Sequence, residues 1–416
     1  MSFCQLFAQN KAMTFTVNGL KVIFKPTLKE TVSIRMYYRG GVLNYEPEQS
    51  GIENLALSAA TVCGTKNYTV HDLNELSDEY GIEIAGTSKK DYGVISMHCI
   101  KKYFDQGWGL FSDVIVNPAF NPVQFQKQKE RMASMIDQRK SDPEDRIDQL
   151  CASAMFSGSL YSLDPLGTAK TLGGFTADSI KNYYYETLVN KNRMFLVVAG
   201  NLTKEELEKK VSAIFSTLPA KPYTAEVYDY PPLQGEKLLT EQKAIATNYL
   251  SCILNAAPLN SEDYYAFRLG IDALSSLMHY ELRTELGLSY APGAKIELQQ
   301  LPYAAMYVTT KDPKKAYQAI VNVYKQIRSG AYSEKYLDAV KKSYLNKFYR
   351  QQENASAIVN DLGEAEVLGG YELAENKLEA INKVTRQDIH TALNKHLKGA
   401  IWIYLGDEKL AKNIFK

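Results

Sequence analysis

Histidine, cysteine and carboxylate side chains carry out most metal and nucleophilic chemistry, and their spacing in this sequence favours neither. No two of the five histidines lie three or four positions apart, the spacing that places two imidazoles on one helix face around a metal ion. No Gly-x-Ser-x-Gly or Gly-x-x-x-x-Gly-Lys motif occurs. Cys151 lies in a helical pattern with apolar neighbours, a poor setting for a thiolate. We therefore predict no metal site and no cofactor.

A guanidinium and a phenol flank the segment Glu285–Ser289. Gly287 suits the left-handed residue at which many helices end, so we predict Arg283 in the last turn of a helix and Tyr290 at the start of the next strand. Both side chains can donate hydrogen bonds to a peptide carbonyl or its developing oxyanion. The alternative is an arginine that favours a helix C-terminus and a tyrosine that packs on a sheet.

Length and charge exclude several classes of protein. A chain of 416 residues predicts two or three domains. Its 48 basic and 47 acidic residues give no electrostatic reason to expect nucleic acid, and no apolar run is long enough for membrane insertion. The five cysteines are far apart and contain no Cys-x-x-Cys pair, which argues against disulfides and structural zinc.

Local patterns predict the first elements of the fold. Residues 14–24 show two strands around an Asn-Gly turn, and residues 31–38 alternate with period two. Apolar residues at helical spacing predict a helix from Gly51 to about Val62.

The two halves of the sequence repeat each other at an offset near 209–212 residues. We predict an N-terminal half at 11–217, a linker at 218–235 and a C-terminal half at 236–416, because four prolines in the linker exclude a helix or central strand. Each half is expected to be an α+β sandwich, a mixed sheet with helices on one face. The two halves would form a clam-like molecule.

Six motifs follow one another along the chain: Asn18–Val22, Gly40–Glu46, Gly51–Ile52, Gly64–Thr65, Tyr80–Ser88 and Leu282–Tyr290. In this order and at this spacing they resemble the pitrilysin/insulinase-type zinc peptidase family, over nearly the whole chain.

The resemblance also shows where the family's metal motif fails. The family carries His-x-x-Glu-His, two zinc ligands and a general base on one helix. Counted from Gly51, these three positions hold Asn54, Leu57 and Ser58, and a later glutamate ligand corresponds to Asp137. One carboxylate cannot hold a catalytic zinc.

The positions at which the family contacts substrate match the family's residue types better than the metal-ligand positions do. The resemblance implies that Arg283 and Tyr290 contact substrate near the scissile bond. It also implies that an edge strand containing Ala85, Gly86 and Thr87 binds peptide through its main chain. The family often has asparagine before the alanine, whereas this chain has Ile84. The alternative for this segment is a plain sheet edge.

The function implied by this resemblance is a non-catalytic subunit of a heteromeric zinc metallopeptidase. A homologous chain with the intact motif would be its partner, and a peptide its substrate. The alternative is a metal-free structural or peptide-binding scaffold of the same fold. The compartment would be periplasmic if residues 1–9 are the remnant of a signal peptide, and cytoplasmic otherwise.

Overall fold

A computed structural model describes residues 11–226, 228, 230–412 and 414. Residues 1–9, on which the expected compartment depends, lie outside the described residues. Within the described chain, no helix combines the length and apolar character needed to cross a membrane.

Six strands form the first sheet: Met13–Val17 (β1), Leu20–Pro26 (β2), Thr31–Arg39 (β3), Glu83–Ser88 (β4), Tyr92–Ile100 (β5) and Met194–Gly200 (β6). Their order is β1-β2-β6-β3-β5-β4, and β2 and β6 pair in parallel while the other neighbours are antiparallel. The predicted hairpin is confirmed: Asn18 and Gly19 have φ values of 48° and 86°, as a tight Asn-Gly turn requires.

Five strands form the second sheet: Gly235–Gln242 (β7), Asn248–Asn255 (β8), Gly293–Glu297 (β9), Tyr303–Thr310 (β10) and Gly399–Gly406 (β11). Their order is β7-β11-β8-β10-β9, with β7 and β11 parallel. Two mixed sheets with helices confirm the predicted α+β class.

The helices, in chain order, include two that extend into π-helical segments. Residues Tyr184–Leu188 continue α7, and His279–Glu285 continue α9. The bounds are Ile52–Val62 (α1), Val70–Tyr80 (α2), Phe104–Val116 (α3), Pro122–Ser141 (α4), Pro143–Met155 (α5), Ala169–Gly173 (α6), Ala177–Tyr183 (α7), Lys204–Phe215 (α8), Tyr264–Met278 (α9), Pro313–Arg328 (α10), Glu334–Gln352 (α11), Ala355–Leu368 (α12), Glu372–Glu375 (α13), Lys377–Lys383 (α14), Arg386–His396 (α15) and Glu408–Ala411 (α16).

The chain forms two compact units that are not continuous in sequence. The first contains the residues before 138 together with 163–226 and 350–375, and the second contains 138–162, 227–349 and the residues from 376 onward. Between Leu218 and Gly235, the described residues form neither helix nor strand before β7 begins. The division at 11–217, 218–235 and 236–416 stays a prediction about the sequence repeat.

Segments 138–162 and 350–375 each belong to the unit that the other half of the sequence mainly forms. The two segments are counterparts in the sequence repeat. Helix α5 begins at Pro143 and α12 at Ala355, an offset of 212 residues from the printed bounds. Helix α5 packs on β8 and β11, whereas α12 packs on β3 and β6. Each half of the sequence therefore supplies one helix to the sheet formed by the other half.

Helices of the N-terminal half pack on one face of the first sheet, and α12 of the C-terminal half packs on the other face. Tyr37 and Tyr38 point to opposite faces because side chains alternate along a strand. The Tyr37 hydroxyl donates to the carbonyl oxygen of Val359 in α12. On the other face, Gly93 of β5 is the cross-strand partner of Tyr38, and it lies against Leu57 of α1. The face of β3 toward α1 is apolar, whereas the face toward α12 carries Ser33, Arg35 and Arg39 beside Tyr37.

Helix α1, which carries the degenerate motif, matches the predicted bounds and lies unusually close to the sheet. Gly51 precedes it with a φ of 92°, a left-handed conformation that favours glycine. A Cβ atom at Gly86 would lie 2.0 Å from the carbonyl oxygen of Leu57, and one at Gly93 would lie 2.3 Å from its Cδ1. Two glycines thus allow α1 to contact β4 and β5 directly.

Candidate functional site

Asn54 and Ser58 lie one turn apart on α1 and share a face, as the motif spacing predicts. Both are buried, and both contact the thioether of Met132 on α4. The Met132 sulfur is 4.0 Å from the Asn54 Nδ2 and 3.7 Å from the Ser58 hydroxyl oxygen. A soft apolar side chain therefore fills the space in front of the two positions where the family has histidines.

The remaining polar atoms of these two residues are also engaged. The Asn54 Oδ1 accepts hydrogen bonds from the Ser88 backbone at 2.8 Å and from the Thr87 hydroxyl at 3.1 Å. The Ser58 hydroxyl donates to the carbonyl oxygen of Leu55 at 3.2 Å. These bonds link α1 to β4 and to the preceding turn of α1. The hydrogen-bonding atoms of Asn54 and Ser58, which define the motif face of α1, therefore have partners within the protein.

Leu57 occupies the position of the family's general base, and its side chain is fully buried. It packs on Gly93 and contributes its carbonyl oxygen to the contact with Gly86. An alkyl side chain cannot accept a proton, so this position contributes packing alone.

Asp137 is not the residue of α4 that faces the motif, and the structure corrects this assignment. Asp137 is exposed, whereas Met132 is buried against Asn54 and Ser58. Five residues separate the two on one helix, which rotates them by roughly 140° relative to each other. Asp137 was assigned because it carries a carboxylate. The type of a residue does not show whether its side of the helix faces the motif.

Glu53 is a buried carboxylate that the sequence reasoning missed. It has no exposed surface, and three donors reach it: the Asn44 amide at 2.7 Å, the Tyr183 hydroxyl at 3.0 Å and the Ser88 hydroxyl at 3.1 Å. Burial raises the pKa of Glu53 to about 7, although these three hydrogen bonds oppose the shift. Its place in the first turn of α1, where acidic residues are common, gave no signal of burial in the sequence.

The strand that carries Ala85, Gly86 and Thr87 lies at the edge of the first sheet, as expected. This strand, β4, pairs only with β5 within the described chain. Ala85 and Thr87 are exposed and Gly86 is half-buried under α1. The Thr87 hydroxyl is already bonded to Asn54, so peptide binding here would depend on the main chain of the edge.

Arg283 and Tyr290 meet at the surface of the second unit. The Arg283 guanidinium lies 4.3 Å from the centre of the Tyr290 ring, within the range of a cation–π contact. Its Nη1 also donates to His279 Nε2 at 3.2 Å. Tyr290 is 78% exposed. The two polar tips are therefore adjacent and open to solvent.

The backbone around this pair matches the sequence prediction in two of its three parts. Arg283 lies in the last turn of the π-helical continuation of α9, and Gly287 has a φ of 59°. Tyr290, however, lies in the connection and not at the start of a strand, since β9 begins at Gly293. The longer connection leaves the tyrosine free of the sheet.

Two family models match this chain in succession. The model described as "Insulinase (Peptidase family M16)" matches residues 21–168, and the model described as "Peptidase M16 inactive domain" matches residues 174–344. The chain belongs to the insulinase family, peptidase family M16. Its recognition from the ordered motifs is confirmed.

Relatives within the insulinase family include proteins named as peptidases and one named as a non-peptidase. The chain is 23% identical over 280 residues to an uncharacterized zinc protease, YmxG, of Bacillus subtilis, covering 66% of this chain and 67% of that protein. It is 21% identical to the non-peptidase homolog YmxG of Helicobacter pylori, covering 87% and 85%. It is 22% identical to the mitochondrial-processing peptidase subunit alpha of Solanum tuberosum, covering 50% of this chain and 40% of that protein.

Solved structures share the fold along nearly the full chain. A peptidase M16 inactive domain from Pseudomonas fluorescens superposes with a TM-score of 0.84 at 18% identity, covering 95% of this chain and 98% of that one. A chain of complex III2 from Candida albicans superposes with a TM-score of 0.82 at 15% identity, covering 98% of each. At these identities the likeness establishes the fold alone.

The family's zinc does not fit the residues at this motif. Zinc sites in proteins are built from thiolate, imidazole and carboxylate ligands, whereas this place holds a neutral amide, a hydroxyl and a thioether. The nearby carboxylate of Glu53 is already engaged, because it accepts hydrogen bonds from Asn44, Tyr183 and Ser88. This chain is therefore a metallopeptidase-family member without the family's metal site at α1.

Elsewhere in the described residues, the one group of three close potential metal ligands consists of His71, Asp72 and Glu75 on α2. His71 and Glu75 are largely exposed, at 80% and 67% of their side chains. An exposed cluster of this kind does not replace the buried motif.

Proposed function

We propose that this chain is a non-catalytic subunit of a heteromeric zinc metallopeptidase. In this role it helps to enclose peptide substrates and to position them for a homologous partner chain that carries the intact His-x-x-Glu-His motif. The zinc and the general base belong to the partner, and this chain contributes hydrogen-bond donors and a binding edge.

The observation that carries the proposal is the contrast between the two motif regions. Asn54 and Ser58 are buried against Met132, whereas Arg283 and Tyr290 are exposed and contact each other. A guanidinium and a phenol held side by side can both donate to one carbonyl oxygen, and such donors gain strength as charge develops on it.

The edge strand supports the peptide part of the proposal. A peptide in extended form could add to β4 through main-chain hydrogen bonds. The exposed Ala85 and Thr87 and the half-buried Gly86 leave space on this edge. Side-chain selectivity at this strand would be weak, because the Thr87 hydroxyl bonds to Asn54.

Reconstitution with a catalytic partner tests the proposal. The partner is a homologous chain with the intact motif, co-purified from the native source or encoded beside this gene. Peptide cleavage by the reconstituted pair is measured with Arg283→Ala and Tyr290→Phe. We expect each change to reduce kcat/KM by roughly 100–1000-fold, the effect of losing one oxyanion donor.

Tyr280→Phe provides a matched control. Tyr280 is an exposed tyrosine in the same π-helical segment, and its change should leave cleavage unaltered. Wild-type rates for both Arg283→Ala and Tyr290→Phe would contradict the positioning role.

The alternative is a metal-free structural or peptide-binding scaffold, and one observation favours it. The Arg283 guanidinium already has two local partners, the Tyr290 ring and His279, so the pair is satisfied without substrate. The reconstitution separates the two functions, because a scaffold would not change the turnover of a catalytic partner when Arg283 is removed.

A further inference from the structure

The two sheets differ at one edge. In the first sheet, β1 is the edge strand and pairs antiparallel with β2, and β2 pairs in parallel with β6. In the second sheet, β7 pairs in parallel with β11, as β2 does with β6. No strand of the described chain lies on the other side of β7. The second sheet therefore ends where the first sheet has one more strand.

Strand β7, residues Gly235–Gln242, is exposed along nearly its whole length, whereas its counterpart β2 is mostly buried. Leu238 and Leu239 are both exposed. They lie on opposite faces of the sheet, because side chains alternate along a strand. An eight-residue edge strand with exposed apolar side chains can accept a further strand through its main-chain groups.

Two charged side chains, Lys237 and Glu241, lie on the face of β7 that carries Leu239. Lys237 is exposed and Glu241 is half-buried. The Arg146 guanidinium donates to both carboxylate oxygens of Glu241, which fixes the position of this carboxylate. Charged side chains on an edge strand discourage pairing with an arbitrary strand. A strand that fits this edge must therefore offer a carboxylate opposite Lys237.

A second copy of the same strand meets this requirement in one register. When two copies pair antiparallel about a two-fold axis normal to the sheet, each face of the sheet stays continuous and one residue must face itself. With Leu239 on the axis, each Lys237 faces Glu241 of the other copy, and the two leucines face each other. Shifting the axis by one residue in either direction places Lys237 opposite Leu239 or opposite Lys243. Only the register centred on Leu239 therefore pairs unlike charges.

We propose that β7 pairs antiparallel with β7 of a second copy, so that the chain forms a homodimer with Leu239 at the two-fold axis. Directly opposite side chains of unlike charge stabilise an antiparallel pair, and those of like charge destabilise it. The two second sheets then continue as one sheet across the contact. This surface contains neither Arg283 nor Tyr290 nor strand β4, so the inference goes beyond the proposed peptidase assembly and does not depend on it.

Analytical ultracentrifugation of the full chain over a range of concentrations tests the dimer. The strand pair is a small contact, so we expect a reversible monomer–dimer equilibrium with a Kd between roughly 10 μM and 1 mM. Lys237→Glu places carboxylates opposite each other at both ends of the pair and should raise this Kd by about tenfold. Lys335→Glu, the same reversal at an exposed lysine of α11, should leave the Kd unchanged.

Single cysteines test the register, in a Cys4→Ser background because the free cysteines of the described residues are buried. Leu239→Cys brings two thiols face to face across the axis, within reach of a disulfide, so mild oxidation should give a covalent dimer. Leu238→Cys places its thiols on a diagonal, with Cα atoms more than about 7 Å apart, and should not form one. A chain that stays monomeric up to about 1 mM, a Kd that Lys237→Glu leaves unchanged, or equal crosslinking of both cysteine variants would overturn the proposal.

Discussion

The motif face of α1 and the end of the α9 helix differ in what surrounds their polar atoms. On α1, Asn54 and Ser58 are buried, and their polar atoms bond within the protein. At the end of α9, Arg283 and Tyr290 are exposed, and their contacts are with each other and with His279.

The difference separates a packed region of the fold from a pair of solvent-exposed polar side chains. Where the family has a metal site, this chain has Met132 between helices and a leucine at the general-base position. Where the resemblance places substrate contacts, the side chains reach solvent. Changes in the first region should therefore reduce stability, and changes in the second should affect function with little effect on stability.

Leu57→Ala should have the largest effect on stability. Removing a fully buried leucine side chain leaves a cavity between α1 and the sheet, at a cost of about 2–5 kcal/mol. Denaturant unfolding measures the loss, and Leu28→Ala is the control because Leu28 is 90% exposed. A loss below about 1 kcal/mol at Leu57 would show that the motif face is not a packed core.

Glu53 should make stability depend on pH in a defined direction. Its pKa is about 7 in the folded protein against an ordinary 4.5, so the folded state holds the proton more tightly, and stability falls as the pH rises from 4.5 to about 7. Glu53→Gln removes this dependence. The stability of the wild type relative to the variant should fall by roughly 3 kcal/mol across this range, at about 1.4 kcal/mol for each pH unit.

Unfolding curves of wild type and Glu53→Gln at several pH values measure that change. Glu205→Gln is the control, since Glu205 also lies in the first turn of a helix but is exposed. Parallel pH profiles for wild type and Glu53→Gln would contradict the buried-carboxylate account.

Arg283→Ala and Tyr290→Phe should have the smallest effects on stability. Each removes at most an exposed cation–π contact or a solvated hydroxyl, so the free energy of unfolding should change by no more than about 1 kcal/mol. Thermal unfolding of the isolated chain measures this. A loss as large as that of Leu57→Ala would make the pair part of the fold and remove the contrast with α1.

Local patterns in the sequence predicted the elements around α1 well. The Asn-Gly hairpin and the helix ending at Val62 follow from turn chemistry and apolar spacing, and both are present. The sheet that each of α5 and α12 covers could not be predicted, because an amphipathic pattern shows that a helix has a buried face and not which surface buries it.

The candidate site shows the same limit at single residues. Asn54 and Ser58 were placed together correctly because helix spacing fixes neighbouring faces. Met132 was missed because an apolar side chain on a helix has no distinguishing type, and Asp137 was chosen because it is acidic. Glu53 was missed because acidic residues are common in the first turn of a helix for electrostatic reasons, and only the fold shows its burial.

Zinc content tests the central claim most directly. The purified chain is incubated with excess zinc and dialysed, and the metal is then measured per chain. With an amide, a hydroxyl and a thioether at the motif, the account predicts far less than one zinc per chain. About one tightly held zinc per chain would contradict it and would show that this chain retains a metal site of its own.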